Sequence, residues 1–247
     1  MWVAGRQGPG KVNNIRPRLY LLTEDQKHDI HKTALQLLET VGVRVDSPPT
    51  LAMLSRTVGT SLVDDRRVRF PSEIVEWAIK SAPRRIQIYD RLGRLDFSIG
   101  GQDDRIRFGV GVTALYYQEP ETDEPVLFER RHMRDLVRLG NALAHYDVIS
   151  TIGIVRDVPE PLTDLYGSLD HYANGTKPMV LLCSDEHRFE DVLAMLEFLH
   201  GDLSTNPFII PYFNPVSPLV MNAGTLDKMK IAIERGLPVI LSNYSMS

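Results

Sequence analysis

The 247-residue sequence holds a single cysteine, Cys183. It has no internal disulfide framework, and a reducing cytoplasm is the expected setting. No apolar run approaches the length of a membrane span. The first twenty residues carry Arg6, Lys11, Arg16 and Arg18 without an apolar centre, so they are not a signal peptide. Charge of neither sign dominates: 28 Lys and Arg stand against 32 Asp and Glu. The small net negative charge gives no electrostatic reason to expect nucleic acid or an anionic membrane as partner. H-E-x-x-H, paired cysteines and a P-loop are all missing, so zinc-activated or phosphate-cradling chemistry has no motif to rest on. Gly109-Val110-Gly111 is followed by more β pattern and no helix, so it does not read as a dinucleotide fingerprint.

What is present is a repeat. The stretches 148–154, 178–183, 207–213 and 238–242 are short apolar runs, and the first three are each followed by a helical pattern, over 161–173, 186–200 and 225–235. The spacing of roughly thirty residues is that of a βα unit, and successive units imply a parallel sheet. The third run breaks into Asn214-Pro215-Val216-Ser217-Pro218-Leu219. Pro215 and Pro218 cannot continue a central strand, so a stiff polar loop is expected where α/β proteins place their chemistry.

Before the repeat, Thr23-Glu24-Asp25-Gln26 fits a capping box, and Ile30, Ala34, Leu37, Leu38 and Val41 follow at helical spacing as far as Gly42. His28 and His31 on this helix read as solvated surface histidines. Further helices are expected after Ser47-Pro48 and from Ser72, acting as its cap, and β patterns over 86–89, 95–99, 106–112, 115–118 and 126–128. The expected fold is α/β: the N-terminal portion of a (β/α)₈ TIM barrel of about four βα units, preceded by an α+β cap region. Residues 1–18 form a flexible basic arm, 19–130 the cap region and 131–247 the first, truncated half of the barrel.

The candidate site lies at the carboxyl ends of the strands. Tyr116 and Tyr117 end the hairpin region, Tyr212 and Phe213 the third strand, and Tyr244 follows the fourth. Ring faces attract a poorly hydrated quaternary ammonium ion, although the same rings also serve as core packing. Adjacent strand residues point to opposite faces, so only one of each pair faces a given pocket. Asn214, Ser217, Asn243 and Ser245 add amides and hydroxyls, residue types equally at home in turns and helix caps. Cys183 reads as a buried small hydrophobe, and Asp185-Glu186-His187 as a helix entry. Tyr116, Tyr117, Asn214, Ser217, Asn243 and Tyr244 are the substrate-binding candidates; no metal ligand is among them.

The order of several short stretches resembles the trimethylamine methyltransferase family of corrinoid-dependent methyltransferases. They are residues 34–45, Arg69-Phe70-Pro71, Ala82-Pro83-Arg84, Asn174-Gly175-Thr176-Lys177-Pro178 and Asn214-Pro215-Val216-Ser217-Pro218-Leu219. The resemblance runs from about residue 19 to the end and covers only the N-terminal half of such a protein. It implies a (β/α)₈ barrel that moves a methyl group from a methylated amine, trimethylamine- or glycine betaine-like, to the Co(I) of a corrinoid. The corrinoid is carried by a partner protein, and this chain binds no cofactor directly. Self-association of the chain is left open, as are two other readings: an unrelated barrel enzyme, and an inactive fragment.

Overall fold

The computed structural model describes residues 20–101, 105–216 and 218–242. Helix α1 (Glu24–Thr40) opens on the expected capping box: the Gln26 amide donates to Thr23 Oγ1 at 3.2 Å and the Thr23 amide to Gln26 Oε1 at 2.9 Å. Gly42, at φ +74°, ends it, and a Cβ there would press on the Val68 carbonyl. The apolar face read for α1 is not buried; Ile30, Leu37 and Val41 are exposed. His31 is not merely solvated either, because its Nε2 lies 2.7 Å from Glu76 Oε1.

Strand β1 (Val43–Val45) is followed by α2 (Pro48–Val58), β2 (Val63–Asp64), β3 (Arg67–Val68) and α3 (Ser72–Ser81). Proline leads α2 as expected, since its missing N–H costs nothing in the first turn. Ser72 is the first residue of α3, not its cap: Pro71 holds the cap position, and the Ser72 hydroxyl donates to Glu39 Oε2 at 2.9 Å. Two hairpins come next, β4 (Arg85–Tyr89) with β5 (Leu95–Gly100), and β6 (Tyr116–Gln118) with β7 (Pro125–Leu127). The first turns on Asp90, whose Oδ1 accepts from the amides of Leu92 and Arg94, with Gly93 at φ +76°. Residues 106–112, read as a strand, instead run extended beside the parallel sheet, bridged at Gly109 to Val148, while Ala114 bridges Gly153.

The repeat follows as α4 (Arg130–Ala142), β8 (Ile149–Ser150), α5 (Thr163–Asn174), β9 (Met179–Leu181), α6 (Phe189–His200) and β10 (Ile209–Phe213). After β10 come β11 (Val220–Met221), α7 (Ala223–Glu234) and β12 (Ile240–Leu241). Strands β8, β9, β10 and β12 form one parallel sheet in that order, so each helix crosses between neighbouring strands. The chain is thus a mixed α/β protein with a parallel sheet. Strand β11 was not foreseen. It lies in the proline-rich loop after β10 and pairs parallel with β1, Arg44 opposite Val220, which ties the first helices to the carboxyl-end loops. Ser47 strengthens the tie by donating to Asp227 Oδ1 on α7 at 2.8 Å.

The two faces of the parallel sheet have different partners. Met179, Leu181, Ile209 and Phe213 pack with Phe189, Val192, Leu193 and Leu196 from α6. Val180 and Ile210, with half-buried Val148, Tyr212 and Ile240, pack instead on Ile86, Ile88 and Phe97 of the β4–β5 hairpin. The hairpin is fastened at the amino-terminal end of the sheet: the Tyr89 amide donates to the Pro207 carbonyl, and Arg91 donates through its amide to Thr176 O and through Nε to Gly175 O. It covers one end of the non-helical face and leaves the carboxyl end to other groups.

The Asn174–Pro178 stretch is a clasp. Asn141 Oδ1 accepts from the amides of Thr176 and Lys177, and Lys177 Nζ donates to the carbonyls of Gly140 and Leu143 at the end of α4. A lysine bonded to the last carbonyls of a helix satisfies acceptors that the helix itself leaves bare.

Candidate functional site

Parity decides which side chains of each aromatic pair reach which surface. In β10, Phe213 faces the helices and meets the Phe189 ring edge-on at 5.9 Å. Tyr212 takes the opposite face, in register with Ile240 of β12. Asn214 follows two residues after Tyr212, exposed, with its carbonyl 3.4 Å from the Thr225 hydroxyl. Ser242 joins the same end of the sheet, its amide donating to the Phe213 carbonyl at 3.0 Å.

In β6 the pair divides likewise. Tyr117 is half-buried and stacks on His132 of α4, centroids 4.2 Å apart and planes at 16°. It belongs to the cluster of Phe128, Met133, Val137 and Ile152. Tyr116 is exposed, opposite exposed Leu127. The hairpin springs from the carboxyl end of β8: the Ala114 amide donates to Ile152 O and the Ile154 amide to Ala114 O. Tyr212, Asn214 and Tyr116 therefore all lie toward the carboxyl ends, whereas Tyr117 is bound into the wall beneath α4. Ser217, Asn243, Tyr244 and Ser245 fall outside the described residues.

A cavity of about 400 Å³ opens just past β8 and β9, lined by Ile154, Arg156, Glu160, Pro161, Thr163, Asp164, Ser184 and Asp185. Asp164, in the first turn of α5, organises its floor. Its Oδ2 accepts the Asp185 amide at 2.8 Å and lies 3.1 Å from the Cys183 sulfur. Burial, reinforced by the Asp164 charge, pushes the Cys183 thiol pKa far up. Cys183 is thus a buried, protonated donor rather than a nucleophile. Lys228 Nζ, 3.0 Å from the Cys183 carbonyl, fastens α7 to the same strand end. Asp185 caps the following helical turn as read, its Oδ1 accepting the His187 amide at 2.9 Å.

Sequence reasoning passed over Arg156 and Asp164 as site residues, and named Tyr212 beside Phe213 among the strand-end rings without choosing between the two. For Asp164 and Arg156 the usable signal is position, the loop between a parallel strand and its helix. For Tyr212 it is parity, which needed only the strand's register. Among the described residues no group of three His, Cys, Asp or Glu side chains is placed to hold a metal ion. No helix among them is long and apolar enough to cross a membrane.

Against known proteins, the family model described as trimethylamine methyltransferase (MTTB) matches residues 4–247. The chain belongs to this family. Relatives include the glycine betaine methyltransferase of Desulfitobacterium hafniense (strain Y51), 23% identical over 240 residues, covering 96% of this chain and 49% of that protein. The trimethylamine methyltransferase MttB of D. hafniense (strain DSM 10664 / DCB-2) is 25% identical over 231 residues, 91% of this chain and 46% of its own length. The trimethylamine methyltransferase MttB of Methanosarcina barkeri is 21% identical over 238 residues, with 93% and 48% covered. The chain spans about half the length of these curated relatives.

Proposed function

We propose that the whole protein transfers a methyl group from a small methylated amine to the Co(I) of a corrinoid brought by a separate protein, in the cytoplasm. Membership of the family over residues 4–247 carries this reading. The parallel sheet, helices on one face and a hairpin plugging the other at its amino end, is on this view the first half of a (β/α)₈ barrel. The curated relatives' double length matches that view.

The described residues at the carboxyl ends suit the task. The transfer breaks one methyl C–N bond, whose electron pair stays on nitrogen, so a quaternary ammonium leaves as a neutral tertiary amine. No proton has to move for that substrate. The reduced corrinoid, when bound, supplies the nucleophile. What remains for the protein is to hold a cation and point one methyl group outward, a problem of position. Tyr212 offers a ring face to the cation, and Asn214 an amide to fix its rotation. Those donors fit an amine held beneath a cofactor that arrives on its own carrier.

The test mixes full-length protein, a reduced corrinoid protein and a panel of methylated amines, and follows the corrinoid absorbance. Methylation dependent on one or a few amines is expected. If every amine on the panel leaves the spectrum unchanged, the assignment falls and a different barrel chemistry takes its place.

A further inference from the structure

A helix packed on a sheet ordinarily turns a polar side away from it. Helix α5 breaks that pattern. Gly167, Ser168, Asp170 and His171 form its buried side. Leu165 and Leu169 stand on the opposite side, and with Leu162, Tyr166 and Met195 of α6 they line an apolar groove of about 280 Å³. One turn on from Met195, Phe198 is 89% exposed. A groove and a bare aromatic ring lie side by side on one outer surface, the kind of patch that marks an association site.

Further βα units would not cover it. Helix α5 leads into β9 and α6 leads out of it, and β9 is an interior strand. New strands join a sheet at its edges, so their helices stand beside α4 or beyond α7.

The charges select the occupant. Helix α5 packs between α4 and α6. Helix α4 holds Arg130, Arg131, Arg134 and Arg138 against Asp135 alone, whereas α6 holds Glu190, Asp191 and Glu197 with no lysine or arginine. Among the described residues Arg134 bonds only its own helix, Nε to the Arg130 carbonyl at 3.3 Å. Glu190 is about two-thirds exposed, its nearest cation Arg235 at 3.4 Å. A basic flank and an acidic flank thus border one apolar patch.

We infer that the outer face of α5 and α6 binds a second copy of this chain, across a two-fold axis lying in the face and parallel to the helices. A two-fold interface uses the same patch on both partners. This axis sets each copy's Phe198 against the other's apolar groove and each α4 against the other's α6, basic flank to acidic flank. A two-fold perpendicular to the helices would set α4 on α4 and oppose like charges. The inference does not depend on which reaction the protein catalyses.

The test is sedimentation equilibrium of the full-length protein as wild type, Phe198→Asp, Arg134→Glu, Glu190→Arg and an equimolar mixture of the last two. Wild type should form dimers or an even-numbered assembly. Phe198→Asp should weaken the dimer about 30-fold or more, because a charge replaces an aromatic anchor. A thermal melt checks its fold, and the two charge variants decide the matter should it fail. Each of those alone sets like charges across the interface twice and should weaken the dimer about 10-fold. Their mixture restores opposite charges at both contacts and should form mixed dimers close to wild-type strength. A wild type that is monomeric throughout the micromolar range, or dimers that folded Phe198→Asp leaves intact, would overturn the inference. So would a mixture no tighter than its components, the result if the face takes a different protein or another segment of its own chain.

Discussion

Arg130, the first residue of α4, grips Asp170 in the third turn of α5 through two hydrogen bonds, Nε to Oδ2 at 2.6 Å and Nη2 to Oδ1 at 3.0 Å. The guanidinium also lies 4.4 Å over the Tyr166 ring. Asp170 is buried and Arg130 about one-quarter exposed, so the pair is only partly screened. Removing one partner strands the other's charge. Asp170→Asn is expected to lower unfolding free energy by about 2–4 kcal/mol, measured by urea denaturation. A loss below about 0.5 kcal/mol would mean the pair behaves as a surface bridge.

His171, the next residue on α5, is buried, and its Nε2 has no partner among the described residues. Burial pushes its pKa from 6.5 down to about 3. The folded protein therefore refuses a proton that the unfolded chain accepts below about pH 6.5. The contribution of the neutral ring is fully present above that pH and is lost as pH falls toward about 3, by up to about 1.4 kcal/mol per unit. Wild type should lose stability more steeply than His171→Gln between about pH 7 and pH 5. Parallel pH profiles would show that the imidazole is hydrated in the folded state.

The repeat was legible because each βα unit writes its pattern locally: an apolar run, a loop, a helix. Strand β11 was not, because two residues in a loop have no period of their own and their strand partner is β1, about 176 residues earlier in the chain. The exposed face of α1 misled for a related reason. Periodicity shows that a helix has an apolar side, not that anything covers it, and Ile30 and Leu37 are exposed. At the site, the aromatic pairs were visible but their parity was not. One register, Tyr212 beside Ile240 and Phe213 beside Leu241, fixes it. Arg156 was unreadable because only the fold places it on the wall of a cavity with Asp164 and Asp185.

Strand β12 carries its pairing with β10 on one side, and exposed Leu241 lies on it. At the other end of the sheet, residues 109 and 114 bridge the flank of β8, so that edge is partly blunted. Residues 1–247 expressed by themselves should therefore self-associate through β12, because an unblocked strand edge is a template for another strand. Light scattering should show oligomers that Leu241→Lys diminishes. A monomer with a single cooperative calorimetric transition would reject this.

Tyr212 is the ring whose position fits an ammonium cage: it sits on the face away from the helices, half-buried, one residue before the end of β10. A ring face holds a cation by its quadrupole, so the hydroxyl is dispensable and the ring is not. Once an amine substrate is identified, Tyr212→Ala in the full-length protein should weaken its binding by about 0.5–2 kcal/mol, roughly 3- to 30-fold, while Tyr212→Phe stays within about twofold. Tyr244→Ala belongs in the same series, since the sequence places that ring just after β12. The split between KM and kcat distinguishes the roles: a cage residue acts on binding, and a misfolded variant lowers the active fraction and hence kcat. Far-UV circular dichroism and a thermal melt guard against the second case, because Tyr212 also packs on Ile210 and Ile240. If Tyr212→Ala folds and binds amine normally while Tyr244→Ala does not, the cage is built from the later strand end, and Tyr212 is only packing.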